Sequence, residues 1–88
     1  MNVQFRSSFS KDLRNIKNRN LLNQIRETIE HIEKAQKLTD IANLKKLKGG
    51  SIYYRSRIGE YRIGLTIENN TVAFIRCLSR KEIYRYFP

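Results

Sequence analysis

Cysteine is nearly absent from this 88-residue chain: Cys77 stands alone, so no intrachain disulfide and no Cys-rich metal site can form. That usage fits a reducing, cytoplasmic setting. Histidine is equally scarce. His31 falls in the charged part of a helical pattern, where a surface side chain is the expected role. No Ser-His-Asp set, metal-ligand spacing or phosphate-binding Gly-rich motif is present, and Glu60, Glu68 and Glu82 are too scattered to suggest a carboxylate pair. The longest apolar run is the short Val72-Ala73-Phe74-Ile75, far below a membrane span. The opening Met1-Asn2-Val3-Gln4-Phe5-Arg6 lacks the apolar h-region of a signal peptide. The expectation is a protein that stays where it is made, with no membrane partner.

Acidic residues are the other shortage. Eight Asp and Glu against 18 Lys and Arg leave a formal charge of +10 and a pI near 10.2. Such a balance implies a polyanionic partner: nucleic acid, an anionic membrane surface or an acidic protein. The cations also change kind along the chain. Residues 1–48 hold seven Lys and four Arg, residues 49–88 one Lys and six Arg. Lysine suits a solvated face, whereas arginine offers a planar fork that matches phosphate oxygens and stacks on bases. The second half is therefore expected to carry the working surface.

An apolar fraction of 40% supports one compact core, and the length fits a single domain over 1–88. A chain of this size buries only about 60–65% of its unfolded surface. Val3 and Phe5 alternate with polar neighbours, predicting an opening strand with one buried face. Ser7, Ser8 and Ser10 are candidate N-caps for a helix over 7–17, in which Phe9, Leu13 and Ile16 recur at helical spacing. After the turn-like Asn18-Arg19-Asn20, the residues Leu21, Leu22, Ile25, Ile29 and Ile32 predict a second helix over 20–36. Residues 37–48 read as a linker anchored by Leu38, Ile41, Leu44 and Leu47, with a helical turn at 40–45, and Gly49-Gly50 ends it. From Ser51 the period is 2, giving strands at 52–58, 61–68 and 71–78 joined at Gly59-Glu60 and Asn69-Asn70. Arg80 to Phe87 is a short helical or irregular tail. The fold class that follows is α+β: an N-terminal strand, an αα-hairpin, then a three-stranded antiparallel meander with the helices packed on one face of the sheet.

The stretch "YYRSRIGEYR" at 53–62 concentrates the chemistry. Alternation places Tyr53, Arg55 and Arg57 on one side and Tyr54, Ser56 and Ile58 on the other. In the next strand Tyr61, Ile63, Leu65 and Ile67 face inward; Arg62, Gly64, Thr66 and Glu68 face outward. Gly64 weakens its strand but leaves room for something to approach the backbone. Pairing across Gly59-Glu60 gathers Arg55, Arg57 and Arg62, and like charges on neighbouring strands repel. Either a phosphate sits between the guanidiniums, or they splay into water. Arg80 stands at a strand end. Tyr84 and Tyr86 either stack on bases or close the open end of the sheet; Phe87 reads as such a plug. Cys77 reads as a small apolar core residue.

With Leu47-Lys48-Gly49 before the meander, "YYRSRIGEYRIGL" through it and "IRCLSRKEIYR" at its end, the chain resembles the RelE/ParE superfamily of bacterial toxins over nearly its whole length. The resemblance implies the RelE-like fold and the toxin of a type II toxin–antitoxin system. RelE-like members are ribosome-dependent mRNA endonucleases acting in the A site. ParE-like members poison DNA gyrase without nuclease activity. Carried over by position, the implied catalytic residues are Arg55, Arg57, Arg62, Arg80 and Tyr84. RNA contacts are expected from Lys46, Lys48, Arg55, Lys81 and Arg85. Implied partners are a cognate antitoxin, the ribosome with its 16S rRNA, and mRNA; no cofactor or metal is implied. Many relatives have His just before the last arginine, where this chain has Ser79, so the proton-transfer group stays open between Tyr84 and ribosomal RNA. A gyrase poison and a plain nucleic-acid-binding module are the competing readings.

Overall fold

The computed structural model describes residues 1–49 and 52–88. In chain order it contains strand β1 (Asn2–Phe5), helix α1 (Ser7–Arg14), helix α2 (Arg19–Lys34), a 3₁₀ turn (Leu38–Asp40), strands β2 (Leu44–Lys46), β3 (Tyr53–Ile58), β4 (Tyr61–Glu68) and β5 (Thr71–Ser79), and helix α3 (Arg80–Tyr86). The strands form one sheet in the order β1-β5-β4-β3-β2, with β1 parallel to β5 and the remaining pairs antiparallel. The α+β class and the meander stand as expected.

Four expectations need correction. The 37–48 segment is not a linker with a helical turn at 40–45: Asn43 takes a left-handed φ of 59°, and Leu44–Lys46 then pairs with β3 as a further strand. Tertiary pairing overrides the local pattern there. Leu38 is exposed rather than an anchor, whereas Ile41 is buried. The serines do not cap α1, whose N-cap is Arg6 without a side-chain bond; Ser8 instead donates its hydroxyl to the carbonyl of Ile75 at 2.6 Å. Phe5 is half exposed at the sheet edge, its ring stacked on Phe74 at 5.3 Å. The Gly49-Gly50 break and the start of the period-2 region at Ser51 lie partly outside the described residues, although Gly49 itself adopts φ 80°.

Helices α1 and α2 cover one face of the sheet. Phe9, Ile16, Ile25 and Ile32 meet Tyr54, Ile63, Leu65, Val72, Phe74 and Cys77 there in one buried cluster. Asn18 caps α2 by accepting from the Leu21 amide at 3.1 Å. Glycine at 59 and asparagines at 69 and 70 take positive φ in the two hairpin turns, as such turns require. A bulge in β5 leaves Ile75 without a partner, because Gly64 pairs with Arg76 and Leu65 with Phe74. The bulge breaks the alternation. Buried Asp12 of α1 fills the irregularity, accepting from Arg76 Nε at 2.8 Å, Arg76 Nη2 at 3.0 Å and the Cys77 amide at 2.9 Å.

The opposite face is not left bare. Ser79 caps α3, accepting from the Glu82 amide at 3.4 Å and donating to its carboxylate at 3.2 Å. Ile83 and Phe87 are both buried, and Phe87 lies on Gly64 with Tyr53 edge-on at 5.9 Å. The hairpin helices thus hold the one face expected of them, and the short C-terminal helix covers the other.

Candidate active site and nucleic-acid interface

The face under α3 carries the arginines. Register sets Arg57 opposite Arg62 and Arg55 opposite Gly64, so the three side chains emerge together as alternation predicts. On the other side of β3, Lys45 is the cross-strand partner of Arg55 and joins the same face. Between β2, β3 and α3 these residues, with Asn43, Leu44 and Tyr84, line a groove of about 360 Å³. Among the described residues no acidic side chain lines it. The cations Lys45, Arg55, Arg57 and Arg62 therefore face one another without a counter-ion in the wall, an arrangement that favours an anion between them.

Individual positions are well defined. Arg62 donates through Nη1 to the carbonyls of Gly59 at 2.8 Å and Tyr61 at 2.9 Å, which anchors its guanidinium to the β3–β4 hairpin at the groove wall. The guanidinium of Arg55 lies over the Tyr84 ring, 4.4 Å from its centroid. Arg80 opens α3, and its amide donates to the carbonyl of Glu60 at 2.8 Å, tying the helix to the β3–β4 turn. The Tyr84 phenol is exposed. Its pKa is held below the usual tyrosine range, first by hydrogen bonding from Arg80 and then by the charge of Arg55.

Of the residues expected from sequence, Arg55, Arg57, Arg62 and Tyr84 meet in the groove, with Arg80 beside Tyr84. The others do not join them. Lys46 pairs with Tyr54 and so belongs to the α2 side of the sheet, while Lys48, Lys81 and Arg85 are exposed outside the groove lining. Lys45 was missed. Its signal is one of register, visible only once Leu44–Lys46 is a strand. Ser79 serves as the cap of α3. His31 approaches the carbonyl of Asp40 at 3.0 Å through Nε2 and ties the 3₁₀ turn to α2. Tyr86 is exposed, with Arg76 5.8 Å from its ring.

The family described as ParE toxin of type II toxin-antitoxin system, parDE, matches residues 3–84. The chain belongs to this toxin family. Toxin RelE3 of Methanocaldococcus jannaschii is 40% identical over 89 residues, spanning all of both chains. The RelB-RelE antitoxin-toxin complex from Methanococcus jannaschii superposes with a TM-score of 0.81 at 38% identity, covering 97% of this chain and 99% of that one. The RelE-RelB complex from Pyrococcus horikoshii shares the fold, with a TM-score of 0.73 at 18% identity over 90% of this chain and 93% of that one. The chain is a RelE-like toxin of the type II class, as the motifs at 53–65 and 75–85 implied. Among the described residues no helix of the toxin is long and apolar enough to cross a membrane.

Proposed function

We propose that the toxin is a cytoplasmic, ribosome-dependent endoribonuclease that cuts mRNA in the A site and so stops translation. The observation that carries this reading is the groove lined by Lys45, Arg55, Arg57, Arg62 and Tyr84, with no acidic side chain among its described lining residues. A scissile phosphate held there meets guanidiniums preorganised for the charge that develops in the transition state. The substrate's 2′-hydroxyl gives its proton to the Tyr84 phenolate, whose formation Arg80 and Arg55 favour. The 2′-oxygen bonds to phosphorus and the bond to the 5′-oxygen breaks, leaving a 2′,3′-cyclic phosphate. The departing oxygen needs a proton. Lys45 is an ammonium, which releases one far more readily than a guanidinium does, and it stands on the β2 wall of the groove. Arg80 polarises Tyr84, and Lys81 and Arg85 add exposed positive charge on α3 for ribosomal RNA.

The cognate partner is a RelB-type antitoxin with an acidic segment for the basic face. Support comes from the related toxins whose structures are complexes with RelB and from the +10 charge.

Purified toxin incubated with programmed ribosomes whose A site is empty yields new 5′ ends in the A-site codon, and naked mRNA yields few. Active protein that leaves ribosome-bound mRNA intact overturns the reading. A second reading, a gyrase poison, draws on the ParE description of the matching family. It leaves the cation-lined groove without a use. Gyrase supercoiling unaffected by excess toxin separates the two.

A further inference from the structure

Gly64 stands in mid-strand, where glycine costs stability and usually marks a close approach. Its backbone is in no left-handed conformation; the reason for glycine is space. A Cβ built there falls 2.6 Å from Cγ of Phe87 and 2.7 Å from both Cδ atoms, so the ring lies flat on the Gly64 backbone. Phe87 is only 6% exposed, and its amide donates to the carbonyl of Ile83 at 3.0 Å, which joins the ring firmly to α3. The other end of α3 is held by the Ser79 cap and by the Arg80 amide on Glu60.

Tyr84 lies between these two anchors and is itself 58% exposed, so no burial of its own fixes it. Its ring lies against Arg55, the cross-strand partner of Gly64, while its phenol is bonded by Arg80 of the same helix. The four residues close a ring: Gly64 beside Arg55, Arg55 on Tyr84, Tyr84 on the helix that Phe87 ends, and Phe87 on Gly64. We propose that Gly64 and Phe87 form a latch that sets Tyr84 over Arg55, making Phe87 a positioning residue of the site. The inference deepens the nuclease reading, which assigns Tyr84 its role, but the latch is a property of the fold and can be tested without RNA.

Charged groups around the phenol come from every neighbouring element: Arg80 on α3, Arg55 and Arg57 on β3, Arg62 on β4 and Lys45 on β2. Arg80 rides on α3 with Tyr84, so a phenol released from its place keeps that neighbour but leaves the charge of Arg55 and the other groove cations, and titrates at higher pH. The test uses the full chain with isotope-labelled tyrosine, the Tyr84 signal assigned by its loss in Tyr84→Phe. Gly64→Ala, Phe87→Ala, the double variant and Phe87→Leu are compared with wild type by Tyr84 titration and by thermal melting. Gly64→Ala and Phe87→Ala each raise the Tyr84 midpoint. In the Phe87→Ala background Gly64→Ala adds no further displacement, and Phe87→Leu recovers part of the wild-type value. Cleavage on the rising limb of the pH profile falls in step, about tenfold for a midpoint displaced by one pH unit.

A lower melting temperature with an unmoved Tyr84 midpoint overturns the latch, because it shows Phe87 acting on stability alone. So does a Gly64→Ala displacement that persists without Phe87. Should Phe87→Ala not fold, Phe87→Leu and Gly64→Ala decide the same question. A wild-type protein that titrates as described yet cuts no RNA refutes the nuclease reading and leaves the latch standing.

Discussion

The guanidinium carbon of Arg55 lies 4.4 Å from the centroid of the Tyr84 ring, joining strand β3 to helix α3 across the mouth of the groove. On the proposed reading the contact unites a phosphate clamp with a titratable oxygen, and it orients the ring without burying it. Arg55→Ala is expected to slow single-turnover cleavage by roughly 10²–10³, as for loss of an oriented donor to a transition-state anion. Tyr84→Phe keeps the ring and removes the proton acceptor, so cleavage falls by about 10²–10⁴ with the melting curve unchanged. Rapid-quench assays on programmed ribosomes check both.

The pH dependence has a definite sign. In the proposed mechanism the phenolate is the active form, and Arg80, then Arg55, lowers the pKa of Tyr84 from its ordinary value of 10.0. The acid limb of the cleavage profile therefore rises with pH, and it lies at lower pH than an unassisted tyrosine allows. Arg80→Gln removes the first cause and moves the rising limb toward alkaline pH. A profile unmoved by that substitution contradicts the assignment of Tyr84 as proton acceptor.

Register separates two adjacent lysines. Lys45 pairs with Arg55 and lines the groove, whereas Lys46 pairs with Tyr54. Lys45→Ala is expected to lower cleavage roughly 10- to 150-fold, the kinetic equivalent of a charge-assisted hydrogen bond of about 1.5–3 kcal/mol. Lys46→Ala leaves the rate on pre-bound ribosomes near wild type. Equal effects from the two substitutions would contradict the placement of β2.

Asp12 is a structural carboxylate, not a catalytic one. It satisfies the Cys77 amide at the bulge and pairs with Arg76 in a fork. Removing one partner of a fully buried pair costs about 3–5 kcal/mol. Arg76 keeps 26% of its side-chain surface exposed, so Asp12→Ala is expected to destabilise by roughly 2–4 kcal/mol in urea unfolding. Cleavage per folded molecule stays unchanged.

Cys77 provides a probe of the same region. Burial, and then the Asp12 charge, pushes its thiol up to about 12, so at neutral pH it is protonated as well as inaccessible. Thiol reagents react slowly with the native toxin and rapidly in denaturant. Asp12→Ala accelerates labelling of the native sample in proportion to the population that opens.

The strands of the meander and the outward arginine set were legible because alternation assigns faces without reference to any partner strand. Lys45 was not: Leu44-Lys45-Lys46-Leu47 does not alternate, and its strand exists only by pairing with β3. The bulge at Ile75 was hidden in the unbroken apolar stretch Ala73-Phe74-Ile75, and with it the role of Asp12, whose partner lies 64 residues away. Gly64 announced a close approach without naming what approaches. The answer, Phe87, was read as a plug, but its seat on the face opposite α1 and α2 depends on tertiary packing that no local pattern encodes. Ser79 looked like the loss of a catalytic histidine; in the fold it is the cap that starts the helix bearing Tyr84.

The central claim is that the Arg55–Tyr84 groove cuts RNA by attack of the substrate's own 2′-hydroxyl. The most direct measurement places a single 2′-deoxy nucleotide on the 5′ side of the mapped cut in ribosome-bound mRNA. Cleavage is expected to vanish at that bond, while the all-ribose message yields a 2′,3′-cyclic phosphate and a 5′-hydroxyl end. Cutting that persists at the deoxy position, or ends bearing a 5′-phosphate, contradicts it.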